Sequence, residues 1–261
     1  MLNIDELIAI GPNASALLHQ QQSGSEVIRI SEHAGLRWVH TSEQTLLSAF
    51  RPDDPATPVF PNHRCMLCAL LLCAQPASVL NLGFGVGSFE RYFQRHLAHI
   101  SIESVDTSSA LVELSRQWFQ IPNDWPVIIA AAHDHLLQSG DTFDLVLCDI
   151  FIGDTHPPCL FEADFYAAAA KRLHPDGVLA LNLSPESDDE LLRILLAVRT
   201  SFANVMLSTL SGHGNVVVLA SREAFAEITE LRRRAQRQHL TPDLDLLDDI
   251  NRFTRLPQPE S

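Results

Sequence analysis

The sequence predicts a doubly wound α/β domain: seven strands in a mostly parallel sheet, helices on both faces, and an antiparallel edge. Three observations carry this. Apolar runs of strand length alternate with helix-length segments between Ser78 and Phe202, and such alternation requires right-handed crossovers into a parallel sheet. A glycine-rich turn, Gly83, Gly85 and Gly87, follows the first of these runs directly. The last two runs, Val205 to Leu210 and Asn215 to Ala220, are joined only by Ser211-Gly212-His213-Gly214. So short a loop cannot make a parallel crossover, so these strands form an antiparallel edge.

Taken in order, residues 1–60 read as a small region holding a β-hairpin and a linker. Glu26 to Ile30 and Leu36 to His40 are its strands, Ser31 to Gly35 its turn, and the Pro-rich stretch Arg51 to Pro61 the linker. Residues 61–221 read as the main domain. Its expected strands are Ser78 to Phe84, Ile100 to Val105, Val127 to Ala131, Phe143 to Cys148 and Val178 to Leu183, followed by the edge pair. Its expected helices are Arg64 to Ala74, Ser88 to Leu97, Ser108 to Phe119, Glu162 to Leu173 and Asp188 to Phe202. Residues 222–261 carry Arg232-Arg233-Arg234, an acidic stretch and a Pro-rich end, and read as a solvated helix with a frayed tail.

Composition narrows the functions. With 18 basic against 32 acidic residues the formal net charge is −14, so a polyanionic nucleic acid is not an expected partner. The longest apolar run, Cys65 to Ala74, is too short for a membrane span, and Met1 to Glu6 lacks the pattern of a secretory leader. Five cysteines, three of them in that run, fit a reduced cytoplasmic protein better than a disulfide framework.

The candidate site begins at the glycine turn. Glycines there tolerate positive φ and let a ligand approach the backbone, across the carboxyl ends of the strands. Asp106 lies 19 residues after Gly87, at the end of the next strand. It reads either as an acceptor for both ribose hydroxyls or as a helix cap. Asp134, after the third strand, reads either as an acceptor for an adenine amino group or as a cap. No Lys-Ser/Thr follows the turn, which excludes a triphosphate loop. The third glycine comes one residue too early for the dinucleotide pattern Gly-x-Gly-x-x-Gly. The turn therefore favours a nucleoside carrying a sulfonium and an alkyl chain.

These residues resemble the spermidine synthase-like family over roughly Val27 to Ser221. The similarity lies in Val79 to Ser88, Phe143 to Phe151, Leu160-Phe161, Phe165-Tyr166 and Asp176 to Leu183. The resemblance implies a class I methyltransferase, Rossmann-like fold. It also implies that S-adenosylmethionine or its decarboxylated form donates an aminopropyl or related alkyl group to a small amine acceptor, with no metal. It is compatible with a homodimer. Gln44 matches a glutamine that contacts the nucleoside, and Asp149 matches the catalytic aspartate after the fourth strand. Two acids of the family are replaced. Val86 stands where an aspartate precedes the last glycine, and Ile152 stands where a second aspartate follows the catalytic one. Asp154 is the candidate replacement acid, and the acid usual at Ser108 is also missing. A diammonium substrate needs several carboxylates in place of its water shell, so these losses leave methyl transfer, or a non-catalytic nucleoside-binding or regulatory protein, as alternatives.

Remaining features carry less. Cys65 and Cys68 form a Cys-x-x-Cys inside an apolar run and read as core. His133 and His135 flank Asp134 without a further ligand set. His156-Pro157-Pro158-Cys159 reads as part of a loop closing over the substrate.

Overall fold

A computed structural model of the chain describes residues 6–7, 16–24, 26–41, 46–73, 75–138, 140–210, 212, 214–237 and 241–257. Two sheets organise them. The N-terminal sheet is antiparallel, with strands β1 (Ala16–Ser23), β2 (Glu26–His33), β3 (Leu36–His40) and β4 (Leu46–Phe50) in that order. The expected hairpin is its centre. His33 pairs with Leu36, and the two turn residues, Ala34 and Gly35, both have positive φ, the two-residue turn whose twist suits a hairpin. Because the turn is so tight, β2 runs three residues beyond its expected end. β1 and β4, which flank the hairpin, were not expected; β1 contains the polar run Gln20-Gln21-Gln22 and shows no alternation.

The main sheet consists of β5 (Ser78–Leu82), β6 (Ser101–Asp106), β7 (Ile128–Ile129), β8 (Phe143–Cys148), β9 (Leu173–Leu183), β10 (Asn204–Thr209), β11 (Val216–Ser221) and β12 (Thr254–Arg255). Its order is β12-β10-β11-β9-β8-β5-β6-β7. β5 to β9 run parallel; β11 lies antiparallel between β9 and β10. The seven expected strands and their antiparallel edge are present, and β12 adds an eighth, two residues long. The chain leaves β5 in one direction to β6 and β7, then returns to β8 on the other side. The strand order therefore reverses between β5 and β8, where an open α/β sheet forms its crevice. Residues buried on both faces make the central strands nearly continuous apolar runs: Val79, Leu80, Leu82, Leu145, Val146, Leu147, Leu179, Ala180 and Leu181 are all fully buried.

Three helical expectations change. The single helix over Arg64 to Ala74 is two short ones, Pro61–Met66 and Ala69–Leu72, because Cys68, Leu70 and Leu71 donate to carbonyls three residues back and tighten the chain between them. A helix not expected, Ala132–Gln138, follows β7. The tail is not frayed through its described part: the helices Ile228–Ala235 and Leu247–Arg252 bury Leu231, Ala235, Leu244, Leu246 and Ile250 against the Cys65 to Leu71 segment. Arg234 donates from Nη1 to the Leu71 carbonyl at 3.0 Å. The run of arginines concealed the apolar pair Leu231 and Ala235, one helical turn apart. Cys65 and Cys68 are core, as expected, and burial pushes the Cys65 thiol up to about 12. Among the described residues no helix is long and apolar enough to cross a membrane.

The two sheets meet through Val86 and Arg91. Val86 is 1% exposed and packs among Ile28, Ile30, Val39, Phe50, Leu111, Leu114 and Phe119. Arg91 is buried beside it. Its Nε donates to the Pro55 carbonyl at 2.7 Å and its Nη1 to Phe119 at 3.1 Å and to the Val86 carbonyl. Burial lowers the Arg91 pKa to about 10, with the neighbouring Glu90 opposing the shift. Val86→Asp would thus place a carboxylate in an apolar cluster. It should cost roughly 1–3 kcal/mol, since burial in the cluster penalises the carboxylate while the Arg91 guanidinium beside it offsets part of that cost. Urea denaturation reads this, and parent-like stability would show that the position faces solvent.

Candidate functional site

The carboxyl ends of β5, β6 and β8 bring five of the expected residues together: Gly83, Gly85, Gly87, Asp106 and Asp149. Gly83, Gly85 and Gly87 have φ of 98°, 56° and 78°, all in the region that favours glycine, but their surroundings differ. A Cβ at Gly83 would lie 2.1 Å from the backbone oxygen of Asp149, and one at Gly87 2.3 Å from Cδ1 of Ile121. Both glycines are required by packing. A Cβ at Gly85 would meet nothing within 4 Å, so this is the member of the turn that opens outward.

Asp106 ends β6 and ties itself to the glycine turn. Its Oδ2 accepts from the Gly85 N–H at 2.9 Å and its Oδ1 from the Ser108 N–H at 2.8 Å. The cap of the helix Ser109–Trp118 is Ser108, whose Oγ accepts from the Leu111 N–H at 3.1 Å. Capping is therefore Ser108's work, and Ser108 does it in the position where the family usually has an acid. Burial pushes the Asp106 carboxyl up, while the N–H groups of Ser108, Gly85, Thr107 and Phe84 pull it down. Glu90, absent from the sequence reading, supports β5 and β6 from below. It accepts from Asn81 Nδ2 and Ser104 Oγ, each at 2.7 Å, and burial raises its pKa.

Asp149 follows β8. Its backbone N–H donates to the Leu82 carbonyl at 2.9 Å, which extends the β5–β8 pairing one step beyond the strands. Its side chain is held from two sides. Asn182, on β9, donates from Nδ2 to Oδ1 at 2.8 Å, and His63, on the helix Pro61–Met66, meets Oδ2 through Nε2 at 3.0 Å. Asn182 is itself held, since its Oδ1 accepts from Asn215 Nδ2 at 3.0 Å. The His63 side chain is 9% exposed and that of Asp149 15%. Sequence reasoning singled out neither His63 nor Asn182. Asn182 left a signal, a lone amide in the apolar run Leu179-Ala180-Leu181-Asn182-Leu183; His63 left none.

The other expected residues lie apart from this group. Asp134 is exposed in the first turn of the helix Ala132–Gln138, while Ala130 and Ala131 follow the end of β7. An acid there suits the positive end of the helix. Ile152, 62% exposed, bridges Thr155 through reciprocal backbone bonds, and Gly153 and the exposed Asp154 form the turn between them. The far end of this loop is fastened. The His156 side chain is 1% exposed; its Nδ1 meets Glu190 Oε1 at 2.8 Å and its Nε2 accepts from the Ser184 N–H at 2.9 Å. The hydrogen bond from His156 holds the Glu190 carboxyl below its ordinary range. Gln44 lies outside the described residues. Among the described residues no three His, Cys, Asp or Glu side chains converge as a metal site.

The sheet order, the glycine turn after its first strand and the acids closing its second and fourth define an α/β protein of the S-adenosylmethionine-dependent methyltransferase-like fold. No family model matches the chain. A polyamine aminopropyltransferase of Chromobacterium violaceum is 27% identical over 245 residues, 88% of this chain and 90% of that protein. A probable spermidine synthase from Corynebacterium glutamicum superposes with a TM-score of 0.70 at 17% identity, over 94% of this chain and 92% of that one. A spermidine synthase in complex with the transition-state analogue AdoDATO gives 0.65 at 17%, over 92% and 84%. Human methyltransferase-like protein 13 in complex with SAH gives 0.61 at 22%, over 73% of this chain and all of that one. In sequence over most of its length, and in fold, the chain is similar to polyamine aminopropyltransferases and spermidine synthases.

The glycine turn generates a contrast. Gly83→Ala should fold poorly, because the added methyl overlaps the Asp149 backbone. Gly85→Val should fold, at a cost of about 1–2 kcal/mol for its left-handed backbone, and lose nucleoside binding. Thermal melts and calorimetric titration with methylthioadenosine separate the two. Normal binding by Gly85→Val would move the ligand elsewhere. Asp106→Ala should weaken nucleoside affinity by about 1.5–3 kcal/mol per lost bond. Unchanged affinity on the folded mutant would reduce Asp106 to a tie for the turn.

Proposed function

We propose that the chain transfers an alkyl group from a sulfonium nucleoside to an amine, in the manner of an aminopropyltransferase. The observation that carries this reading is the placement of Asp149. A carboxylate lies at the reversal of strand order, one close backbone contact from the glycine turn, with both oxygens fixed by neighbours. In the reaction the amine nitrogen attacks the carbon bonded to sulfur. A C–N bond forms, the C–S bond breaks, and its electron pair stays on sulfur as a neutral thioether. The nitrogen then carries a surplus proton, which Asp149 accepts or passes to water. The protein supplies alignment and one base. The turn Gly83 to Gly87 would carry the nucleoside, and Asp106 its ribose hydroxyls. S-adenosylmethionine and its decarboxylated form both suit this arrangement. A reduced, cytoplasmic setting suits the four buried free cysteines.

Methyl transfer is the second reading, and a specific observation favours it. Val86 fills an apolar cluster and Ile152 sits exposed on its loop, so neither offers a carboxylate for an amine. Calorimetry with S-adenosylmethionine, its decarboxylated form and methylthioadenosine separates the readings. Tighter binding of the decarboxylated donor supports aminopropyl transfer, and tighter binding of the carboxylated one supports methyl transfer. Binding of none of the three favours a non-catalytic protein.

An amine panel then gives the sharper test. Putrescine should be a poor acceptor, for want of a second carboxylate near Asp149; efficient putrescine turnover would point to Asp154 as the replacement acid. With the best acceptor found, Asp149→Asn should lower turnover by about 10²–10⁴-fold and leave nucleoside affinity nearly unchanged. Equal turnover by mutant and parent would hand the proton to another group or to solvent.

A further inference from the structure

A carboxylate that must take a proton from one direction gains from being held. Free rotation about the Cβ–Cγ bond would spread its lone pairs over many orientations, and small misplacements at a reacting centre are costly. In this chain the Asp149 carboxylate is tied at both oxygens by elements far apart in sequence: Oδ1 by Asn182 on β9, and Oδ2 by His63 on the helix Pro61–Met66. The two ties differ in kind. Asn182 is braced by Asn215 across the β9–β11 pair. His63 is braced by packing, with its ring 5.0 Å from that of Phe89 and 5.6 Å from that of Phe60.

The second nitrogen of His63 fixes the sense of the bond. Nδ1 is buried and has no hydrogen-bond partner among the described residues. A proton on Nδ1 would be a buried, unsatisfied N–H, which costs more than a bare lone pair in the same place. The proton therefore resides on Nε2, which donates to Asp149 Oδ2. A histidine protonated only at Nδ1 would set a lone pair against the carboxylate.

We propose that His63 is a positioning residue for the transfer reaction: as an Nε2–H donor it fixes the orientation of the Asp149 carboxylate. The inference rests on the reading of Asp149 as the proton acceptor, and it adds a residue outside the motifs that suggested that reading.

The test uses the full chain and two substitutions at one position. His63→Phe keeps a ring between Phe60 and Phe89 but removes the donor, whereas His63→Gln restores an amide N–H at similar reach. With the best amine acceptor, His63→Phe should lower kcat by about 10²-fold with donor KM changed less than about twofold. His63→Gln should recover a large part of the loss. Parent-like kcat in His63→Phe, or equal losses in the Phe and Gln variants, would overturn the proposal, since a purely structural role would not follow the donor. A second measurement does not depend on catalysis. A double-mutant cycle on urea unfolding, His63→Phe with Asp149→Ala, should show coupling between the two sites; strict additivity would overturn the pairing. Should the parent alkylate no amine at all while the cycle still shows coupling, the fixed carboxylate stands and the proposed reaction falls.

Discussion

A methyl group on Gly83 would lie 2.1 Å from the backbone oxygen of Asp149. The ends of β5 and β8 thus meet main chain to main chain at this point, with the Ile150 side chain beside them, and much of the site depends on that approach. It lets the Asp149 N–H reach the Leu82 carbonyl and carry the strand pairing one residue past both strands. Gly85, two residues after Gly83, is tied to Asp106 by its own N–H. One sterically forced glycine therefore relates three strand ends, and with them the two carboxylates on which a nucleoside and its reaction partner would depend.

How much of this could be read from the sequence follows from the kind of interaction involved. β8 has the bounds expected, Phe143 to Cys148, because a strand buried on both faces is written as an uninterrupted apolar run. Glycines needing positive φ are equally visible, since few other residues tolerate it. β1 was invisible because an edge strand is held by main-chain pairing, which needs no particular side chain. Asp134 was read as closing the third strand, yet β7 is only two residues long and the chain is already helical at Ala132. The His63–Asp149 contact spans 86 positions, and no local pattern records it. Gly83 and Gly85 looked alike in sequence; their difference is entirely one of neighbours.

The departures from the family also take on a different meaning in three dimensions. Val86 reads in sequence as a missing acid. In the structure it is the keystone of the apolar cluster joining the N-terminal sheet to the helix Ser109–Trp118, with Arg91 bonding its carbonyl from behind. An aspartate at this one position would place a carboxylate among seven buried apolar neighbours rather than rebuild an amine site. Ser108, the third missing acid, has become a helix cap. The substitutions belong to how this chain packs as well as to what it binds, which is why single reversions are not expected to restore the family's ordinary chemistry.

His156 has a bearing on how such a protein can change. Its buried ring fastens the end of the Asp149 loop to Ser184 and Glu190, while Asp149 itself is clamped at the beginning. Between these two anchors only the small turn around Gly153 and Asp154 is left exposed. Mutations there can alter size, charge and hydrophobicity without disturbing either anchor. The loop therefore behaves as a cassette: its ends are committed to the scaffold, and its tip is open to drift. Under the proposed function, substitutions at this tip would change which acceptor fits while Asp149 and its two ties stay fixed.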